Sequence, residues 1–576
     1  MAEYDIIIKS GTIVDGTGAP RYIGDMAIKD GKIAKIGGLR GSGAGQTLDA
    51  SGLIVAPGFI DLHTHYDAQI LWDPYCSVSG WHGVTSVAIG NCGFGFAPVE
   101  PKDRERAMLC LTRNEAIPYE SMEKGMTWDW ETFPEFMDSL DRTPKGINVL
   151  SYVPLTPLYS YVMGWQGAKE RRPNQAELDE MCRLMHVAMD AGACGWSSQV
   201  LGPNSNQRDY DGTPMTTDLM TDEEILTFAR VLAERDEGFI ELTYRQTGEE
   251  GEPMEQSTLE FLEKVTEVSG RPLIYQLVLA RADMPELHRG KLKWLEECNT
   301  KKGLRMGGQG VTTKGGFELT FEDWNLFDNS PAWRKVTLGT VAERTAKMKD
   351  PEYRKELRDE WDSGAPKPGA QLVGSLEGLI VEEVGRPDFE KYLGLSMGQI
   401  AKMENKHIVD ALCDLIVADK LQTEFLGEQG RDSAQFTAEV MNSRYVIPGI
   451  SDGGAHTKFL TGGSYPTEIL TWLVKEEGLV TLEDAHYKLS YLPAFFGGVQ
   501  DRGFLREGAP ADVVIYDMDK LKLLPTEIAH DLPGGDWRRV QRAEGYRWTI
   551  VNGEVTFKDG EPTGALPGKL LRKGRG

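Results

Sequence analysis

The chain predicts an α/β fold: a (β/α)8 TIM-type barrel with a small β-sandwich domain formed by both chain termini. Three observations predict it. From about residue 56 to 490, apolar strand-like runs alternate with stretches of helical periodicity, the pattern of a parallel sheet with crossover helices. The two ends of the chain share a different texture, short alternating strands broken by tight turns. The length, 576 residues, is more than one small core needs.

The first 55 residues read as strands and turns, DIIIKSG, TIVDG and DMAIKDGKIAKIG, with Asp30-Gly31 as a hairpin turn. The same texture returns in DVVIYDMD (512–519) and RWTIVNGEVTFKDG (547–560), where Asn552-Gly553 marks a second hairpin. Residues 1–55 and 491–576 are therefore expected to form one β domain, with 56–490 inserted between its halves. Strand candidates in that middle are VTSVAIG (84–90), NVLSYVP (148–154), CGWSSQ (194–199), FIELTY (239–244), LIYQLV (273–278) and YVIPGISDGG (445–454). NQAELDEMCRLMHVAMDAG (174–192) has helical spacing and a glycine stop. From about 285 to 400 the rhythm breaks, with GGQGVTTKGG and the charged KMKDPEYRKELRDEW, and an elaborated insertion is expected there.

Composition narrows the function. A formal charge of -25 and a pI near 4.9 disfavour a nucleic-acid or anionic-membrane surface and favour a small-molecule substrate. No leader-like start and no apolar run of about 18 residues is present, and seven cysteines without CxxC spacing fit reduced thiols, so a cytoplasmic location is expected. Self-association into a homo-oligomer stays open.

The chemistry is expected at FIDLHTHYD (59–67). Residues i and i+2 of a strand share a side, so His63 and His65, with Asp61, project together where the apolar run ends. In a barrel, C-terminal strand ends form the active-site face. Two imidazoles converging there suit zinc, although a hydrogen-bonded core pair explains the HxH spacing alone. Cys92 follows the strand VTSVAIG, and Asp452 in PGISDGGAH follows the last strand, with His456 four residues on. A thiolate and a carboxylate would complete a zinc shell. Packing for Cys92 and a helix cap for Asp452 are the plainer readings.

PGFIDLHTHYDAQ, HGVTSVAIGNCGFGFAP, PGISDGGAH and DRGFLREGAPADVVIYD resemble the amidohydrolase superfamily, and the NCG segment resembles its D-aminoacylase (N-acyl-D-amino-acid deacylase) branch. The resemblance spans nearly the whole chain. It implies a metal-bearing (β/α)8 barrel with a terminal β domain, and a hydrolase that directs metal-bound water onto an acyl–nitrogen bond. It further implies that His63 and His65 bind metal, that Cys92 takes a bridging-ligand place, and that Asp452 is ligand and general acid/base.

The sequence departs from that pattern at two places. No histidine lies between His186 and His288, and Thr243 and Gln276 stand where the family supplies histidines from the fifth and sixth strands. No lysine occurs from 170 to 263, so a carbamylated-lysine bridge is not on offer. The set His63, His65, Cys92 and Asp452 is therefore expected to hold one Zn²⁺. Candidates for holding a substrate are Arg245, whose guanidinium suits a carboxylate, with Tyr244, Gln276, His456 and Lys314. Alternatives stay open: the same metal site used for lactone or cyclic amide hydrolysis, C–C cleavage or decarboxylation, or a non-catalytic barrel scaffold.

Overall fold

Both ends of the chain meet in one sheet. In the computed structural model, β1 (Tyr4–Ile13) pairs antiparallel with β2 (Tyr22–Lys29), which turns back into β3 (Lys32–Ile36). Asp30 and Gly31 between them have φ of 51° and 75°, the two left-handed positions of a tight hairpin turn. A Cβ on Gly31 would lie 2.9 Å from the Asn552 carbonyl oxygen, so glycine is required there. β4 (Ala44–Asp49) runs parallel to the first half of β1, and β5 (Ile54–Pro57) pairs with its end at Thr12 and Ile13. The structure describes residues 2–573 apart from 206, 246–255, 281, 283, 315–317, 323–326, 329, 365–374, 428–432, 460 and 461.

The next strands run parallel: β6 (Phe59–Asp61), β7 (Val84–Ile89), β8 (Asn148–Ser151), β9 (Val153–Pro154), β10 (Gly195–Val200), β11 (Phe239–Tyr244), β12 (Leu273–Leu279) and β13 (Met306–Val311). β6, β7 and β8 form one parallel ladder; β9 to β13 form another. Between β8 and β9 the hydrogen bonding continues through Tyr152 N–H to the Ile89 carbonyl at 3.0 Å. Helices return the chain between strands, among them α1 (Arg104–Asn114), α2 (Gln175–Asp190), α3 (Asp222–Arg235), α4 (Gln256–Ser269) and α5 (Pro285–Thr300). α2 and α3 start on capping boxes, Asn174 with Glu177 and Thr221 with Glu224, which satisfy the first free N–H groups.

Period-two alternation separates two cores. Ile60, Ala88, Leu150, Phe239 and Ile274 join an inner cluster with Leu492 and Phe496. Their neighbours Phe59, Val87, Val149, Ile240 and Tyr275 pack into an outer cluster with the helices. Strands buried on both faces read as continuous apolar runs, which is why most were legible in the sequence. β13 was not: MGGQGV carries three glycines and looks like a loop. The glycines serve packing, since a Cβ on Gly308 would stand 2.7 Å from Val278 Cγ2 and 2.8 Å from Leu295 Cδ1 of α5.

The inserted segment is displaced from the expected 285–400. α5 and β13 belong to the parallel layer, and a separate core begins only after them, with Phe321, Trp333, Leu357, Val381, Leu412 and Phe425. It carries a small sheet of β14 (Glu318–Leu319), β15 (Ile380–Glu383) and β16 (Glu424–Leu426), in the order β14-β16-β15. β17 (Val446–Pro448) then pairs with β13, and beyond it Gly453 bridges in parallel to Thr64.

The chain ends back at its start. β18 (Val513–Tyr516) runs antiparallel to β5, β19 (Lys522–Ala529) and β20 (Arg538–Glu544) form a two-stranded ribbon, and β21 (Tyr546–Val551), β22 (Glu554–Lys558) and β23 (Glu561–Pro562) extend the first sheet to nine strands. Where two sheets were expected, the hydrogen bonding is continuous. β1 shifts register between Ile8 and Gly11, pairing with β4 before the irregularity and β5 after it, a strand that turns a corner within one sheet.

Gly308→Val should lower stability by about 1–3 kcal/mol through overpacking against Val278 and Leu295. Urea unfolding measures it; an unchanged midpoint would mean that glycine does not set the β13–α5 spacing.

Candidate metal centre

The site begins where β6 runs out. Asp61 Oδ1 accepts the His63 N–H at 3.0 Å, and Ser451 Oγ donates to the His63 carbonyl at 3.0 Å, so the backbone carrying the histidines is held from both sides. His65 N–H donates to the Gly453 carbonyl at 2.7 Å, which brings the Asp452 turn alongside. His63 Nδ1 donates to Gln309 Oε1 at 2.8 Å, which orients the ring with Nε2 facing inward, the nitrogen a metal would bind once its proton is displaced.

Cys92 follows β7 in a left-handed conformation, φ 55°, with its N–H on Glu241 Oε2 at 3.0 Å. Its Sγ lies 3.5 Å from His63 Nε2. Asp452, also left-handed at φ 47°, puts Oδ1 3.2 Å from His63 Nε2 and 3.7 Å from His65 Nε2. Donor atoms of His63, His65 and Cys92 lie within 4.8 Å of one another.

These spacings fit a zinc ion. Bonds of about 2.0–2.3 Å in a tetrahedron place donors about 3.3–3.8 Å apart, and two imidazoles, a thiolate and a carboxylate are its ordinary ligands. The electrostatics agree. Burial opposes charge on His63 and His65, yet Cys92, Asp452 and, for His65, Glu115 outweigh it and raise both well above the usual imidazole range. Burial also opposes charge on Asp452, and the same histidines hold its carboxyl well below the usual range. A field that retains protons on two imidazoles favours a cation among them, and protons and metal compete for that place.

Further acids surround the cluster. Burial pushes Asp61 and Asp67 up to about 6 and raises Glu241. His63 and His65 are almost sealed, at 0 and 2 % side-chain exposure, while the Asp452 side chain keeps 21 %. The open side of the cluster is therefore at Asp452.

The structure sorts the expected substrate residues. Gln276 stands at the cluster: its Oε1 accepts from Thr243 Oγ1 and lies 3.6 Å from Cys92 Sγ. His456 faces Glu115, Nε2 to Oε2 at 3.2 Å, and its own N–H donates to the Glu115 carbonyl at 2.7 Å. Tyr244 is not in this group. It comes directly after the inward Thr243 and so points outward, its hydroxyl donating to Asp222 Oδ1 at 2.6 Å and its ring stacked 4.8 Å from Phe261. Arg245 is drawn the same way, with Nη2 on the Met220 carbonyl at 3.2 Å and its guanidinium 5.7 Å from the Tyr244 ring. Lys314 is exposed, its Nζ 5.1 Å over the Trp472 ring.

Three site residues escaped sequence reading: Glu115, Glu241 and Gln309. Glu241 had a signal, since it shares the inward side of β11 with Thr243. Gln309 was hidden in the glycine-rich β13. Glu115 comes after α1 in a loop with no motif; it is 1 % exposed, both its carboxylate oxygens lack a hydrogen bond, and Oε2 lies 3.7 Å from His65 Nε2.

The Amidohydrolase family profile matches residues 46–557. The chain belongs to the amidohydrolase family. A D-aminoacylase of Alcaligenes xylosoxydans xylosoxydans is 30% identical over 573 residues, covering 99% of this amidohydrolase and 98% of the relative. The N-acyl-D-aspartate deacylase of the same organism is 25% identical over 575 residues, covering 100% and 96%. Among solved structures, the N-acyl-D-glutamate deacylase of Bordetella bronchiseptica, complexed with zinc and a phosphonate inhibitor, superposes with a TM-score of 0.66 at 22% identity, covering 99% of both chains. This amidohydrolase lies in the D-aminoacylase-like branch and is a metal-binding hydrolase acting on carbon–nitrogen bonds.

Gln309→Ala should weaken zinc binding about 10–100-fold by freeing the His63 ring, with the fold retained. Competition with a chromophoric chelator measures it; unchanged affinity would show that Gln309 does not orient the ligand.

Proposed function

We propose that this amidohydrolase removes the acyl group from a small, carboxylated N-acyl amino acid of the N-acyl-D-amino-acid class, using one zinc ion per chain. The observation that carries this reading is the three-donor cluster of His63, His65 and Cys92, with Asp452 Oδ1 at 3.2 and 3.7 Å from the two imidazoles on its open side. The ladder that runs from β6 to β17 and returns at the Thr64–Gly453 bridge is read as a (β/α)8 barrel, which presents this cluster at its C-terminal face. Residues 1–55 and 491–576 are read as the β domain, and 56–490 as the barrel with its insertion. Among the described residues no helix is long and apolar enough to cross a membrane. The free cysteines support a cytoplasmic setting.

His63, His65, Cys92 and Asp452 would hold the zinc, which when bound supplies Lewis acidity to the acyl oxygen and to water. Asp452, held ionised by its histidine neighbours, accepts the proton of the attacking water and delivers it to the leaving nitrogen. General acid/base transfer of this kind contributes about 10²–10⁴-fold. Glu241 fixes the Cys92 backbone and Gln309 fixes the His63 ring. A single ion is favoured by the far side of Cys92, where Thr243 and Gln276 bind each other with oxygen atoms in place of two imidazoles. That pair also favours the second reading, in which the same metal site opens a lactone or cyclic amide.

Elemental analysis should give about one zinc per chain, and N-acetyl-D-amino acids should be hydrolysed. Asp452→Asn should lose at least about 10³-fold in kcat while staying folded, since it removes both a ligand and the proton carrier. Silence across the panel with zinc present would sink the deacylase reading in favour of the second, and full activity of the variant would remove Asp452 from the mechanism.

A further inference from the structure

The loop between β10 and α3 holds a charge that the chemistry above does not use. Arg208 is 4 % exposed, and its Nε is shielded from solvent without a hydrogen bond. Among the described residues, no carboxylate is ion-paired with its guanidinium. A buried cation without a partner is costly, and native chains retain one where a ligand completes it.

The surroundings deepen the imbalance. Burial, then the nearby Arg334, lowers the pKa of Arg208, and Arg113 adds to this against Asp218 and Asp328. Asp328 is committed elsewhere, and Asp218 is committed through Oδ1, while its Oδ2 is buried without a hydrogen bond. Asp328 takes the fork of Arg113, Oδ1 to Nη2 at 2.6 Å and Oδ2 to Nε at 3.0 Å. Asp218 Oδ1 accepts from the Leu201 N–H at 2.8 Å and from Gln199 Nε2 at 3.4 Å. Burial pushes Asp218 up to about 7, so it is only a partial counter-charge at neutral pH. Around Arg208, then, two further guanidiniums, Arg334 and Arg113, stand against the carboxyls of Asp218 and Asp328.

Topology sets this positive region beside the metal centre. Gln199, which holds Asp218, is aligned with Thr243 in the β10–β11 ladder, and Thr243 donates to Gln276 against Cys92. Arg113 stands two residues before Glu115, whose carboxylate lies 3.7 Å from His65 Nε2. Arg208 interacts with Arg113 at the end of α1 and with Asp218, which Gln199 of β10 holds, and those two elements lead to residues that neighbour the zinc donors: Glu115 beside His65, and the Thr243–Gln276 pair beside Cys92.

We propose that Arg208 receives the carboxylate of the substrate, with Arg334 and Arg113 holding the local field positive. A guanidinium offers two parallel N–H donors to a carboxylate, fixing its position and its plane. Arg245, the candidate drawn from sequence, already spends a donor on the Met220 carbonyl and lies against Tyr244 on the outward side. This inference rests on the deacylase reading for the identity of the anion.

The test is steady-state kinetics of wild type, Arg208→Met and Arg208→Lys on three compounds: N-acetyl-D-leucine, its amide, and N-acetyl-D-glutamate α-amide. Arg208→Met should lose about 10–100-fold in kcat/KM on a carboxylated compound, mainly through KM, with partial recovery in Arg208→Lys. The preference for acid over amide should collapse. Loss on the leucine compound assigns the α-carboxylate, and loss on the glutamate α-amide assigns the side-chain carboxylate. Equal losses on acid and amide, or none, would overturn the proposal. Without ligand, Arg208→Met should melt no lower than wild type, because it removes an uncompensated charge; a lower melting point would assign Arg208 a structural role instead. If wild type cleaves none of the compounds, calorimetric titration of the zinc-loaded protein with the two acids separates the readings. Arg208-dependent binding keeps the anion site and removes the deacylase reading, and its absence overturns the site.

Discussion

The hydrogen bond from the His65 N–H to the Gly453 carbonyl, 2.7 Å long, joins the end of the first parallel strand to the turn after the last. It ties the histidines to Asp452, almost four hundred residues away in the chain, together with the Ser451 hydroxyl on the His63 carbonyl. With it, one short contact fixes backbone register, and register fixes side-chain direction because strand side chains alternate. Ser451 and Asp61 brace the same backbone from either side of His63. Strand register does in this protein what a disulfide does in smaller ones: it sets the distance between donor atoms.

The fold was legible where physics writes it into a run of residues. Parallel strands covered on both faces must be apolar along their length, and VTSVAIG, FIELTY and LIYQLV say so. The hairpins at Asp30-Gly31 and Asn552-Gly553 were legible because two successive left-handed residues demand such pairs. β13 was illegible because its glycines answer to neighbours, Val278 and Leu295, that a sequence window does not contain. The expected insertion, about 285–400, takes in α5 and β13 for the same reason, since the glycine-rich β13 does not read as a barrel strand.

The candidate site divides likewise. His63, His65, Cys92 and Asp452 each lie just past a strand, so strand reading found them. Glu115 and Arg208 sit in loops whose course is set by tertiary packing, and what marks them, two imidazoles beside a buried carboxylate and a buried guanidinium without an ion pair, only coordinates reveal. Tyr244 is one step of alternation from the inward Thr243, with its hydroxyl on Asp222, and Arg245 places Nη2 on the Met220 carbonyl, contacts that a strand pattern does not disclose. The acids around the cluster share one logic. Burial raises Asp61, Asp67 and Glu241, while Asp452, beside the imidazoles of His63 and His65, is lowered, so charge concentrates on the carboxylate that is open to solvent.

The pairing of β5 with β18 bears on how the molecule is made. Ala56 aligns with Val514, so the strand that leads into the parallel layer cannot complete its sheet until Val513–Tyr516 has left the ribosome. Through synthesis the nascent chain carries an unpaired apolar edge at Ile54–Pro57, an invitation to wrong partners. A chain that stops short of Val513 would leave that edge bare for good. β18 thus acts as a checkpoint, protecting only those copies whose translation has passed Tyr516.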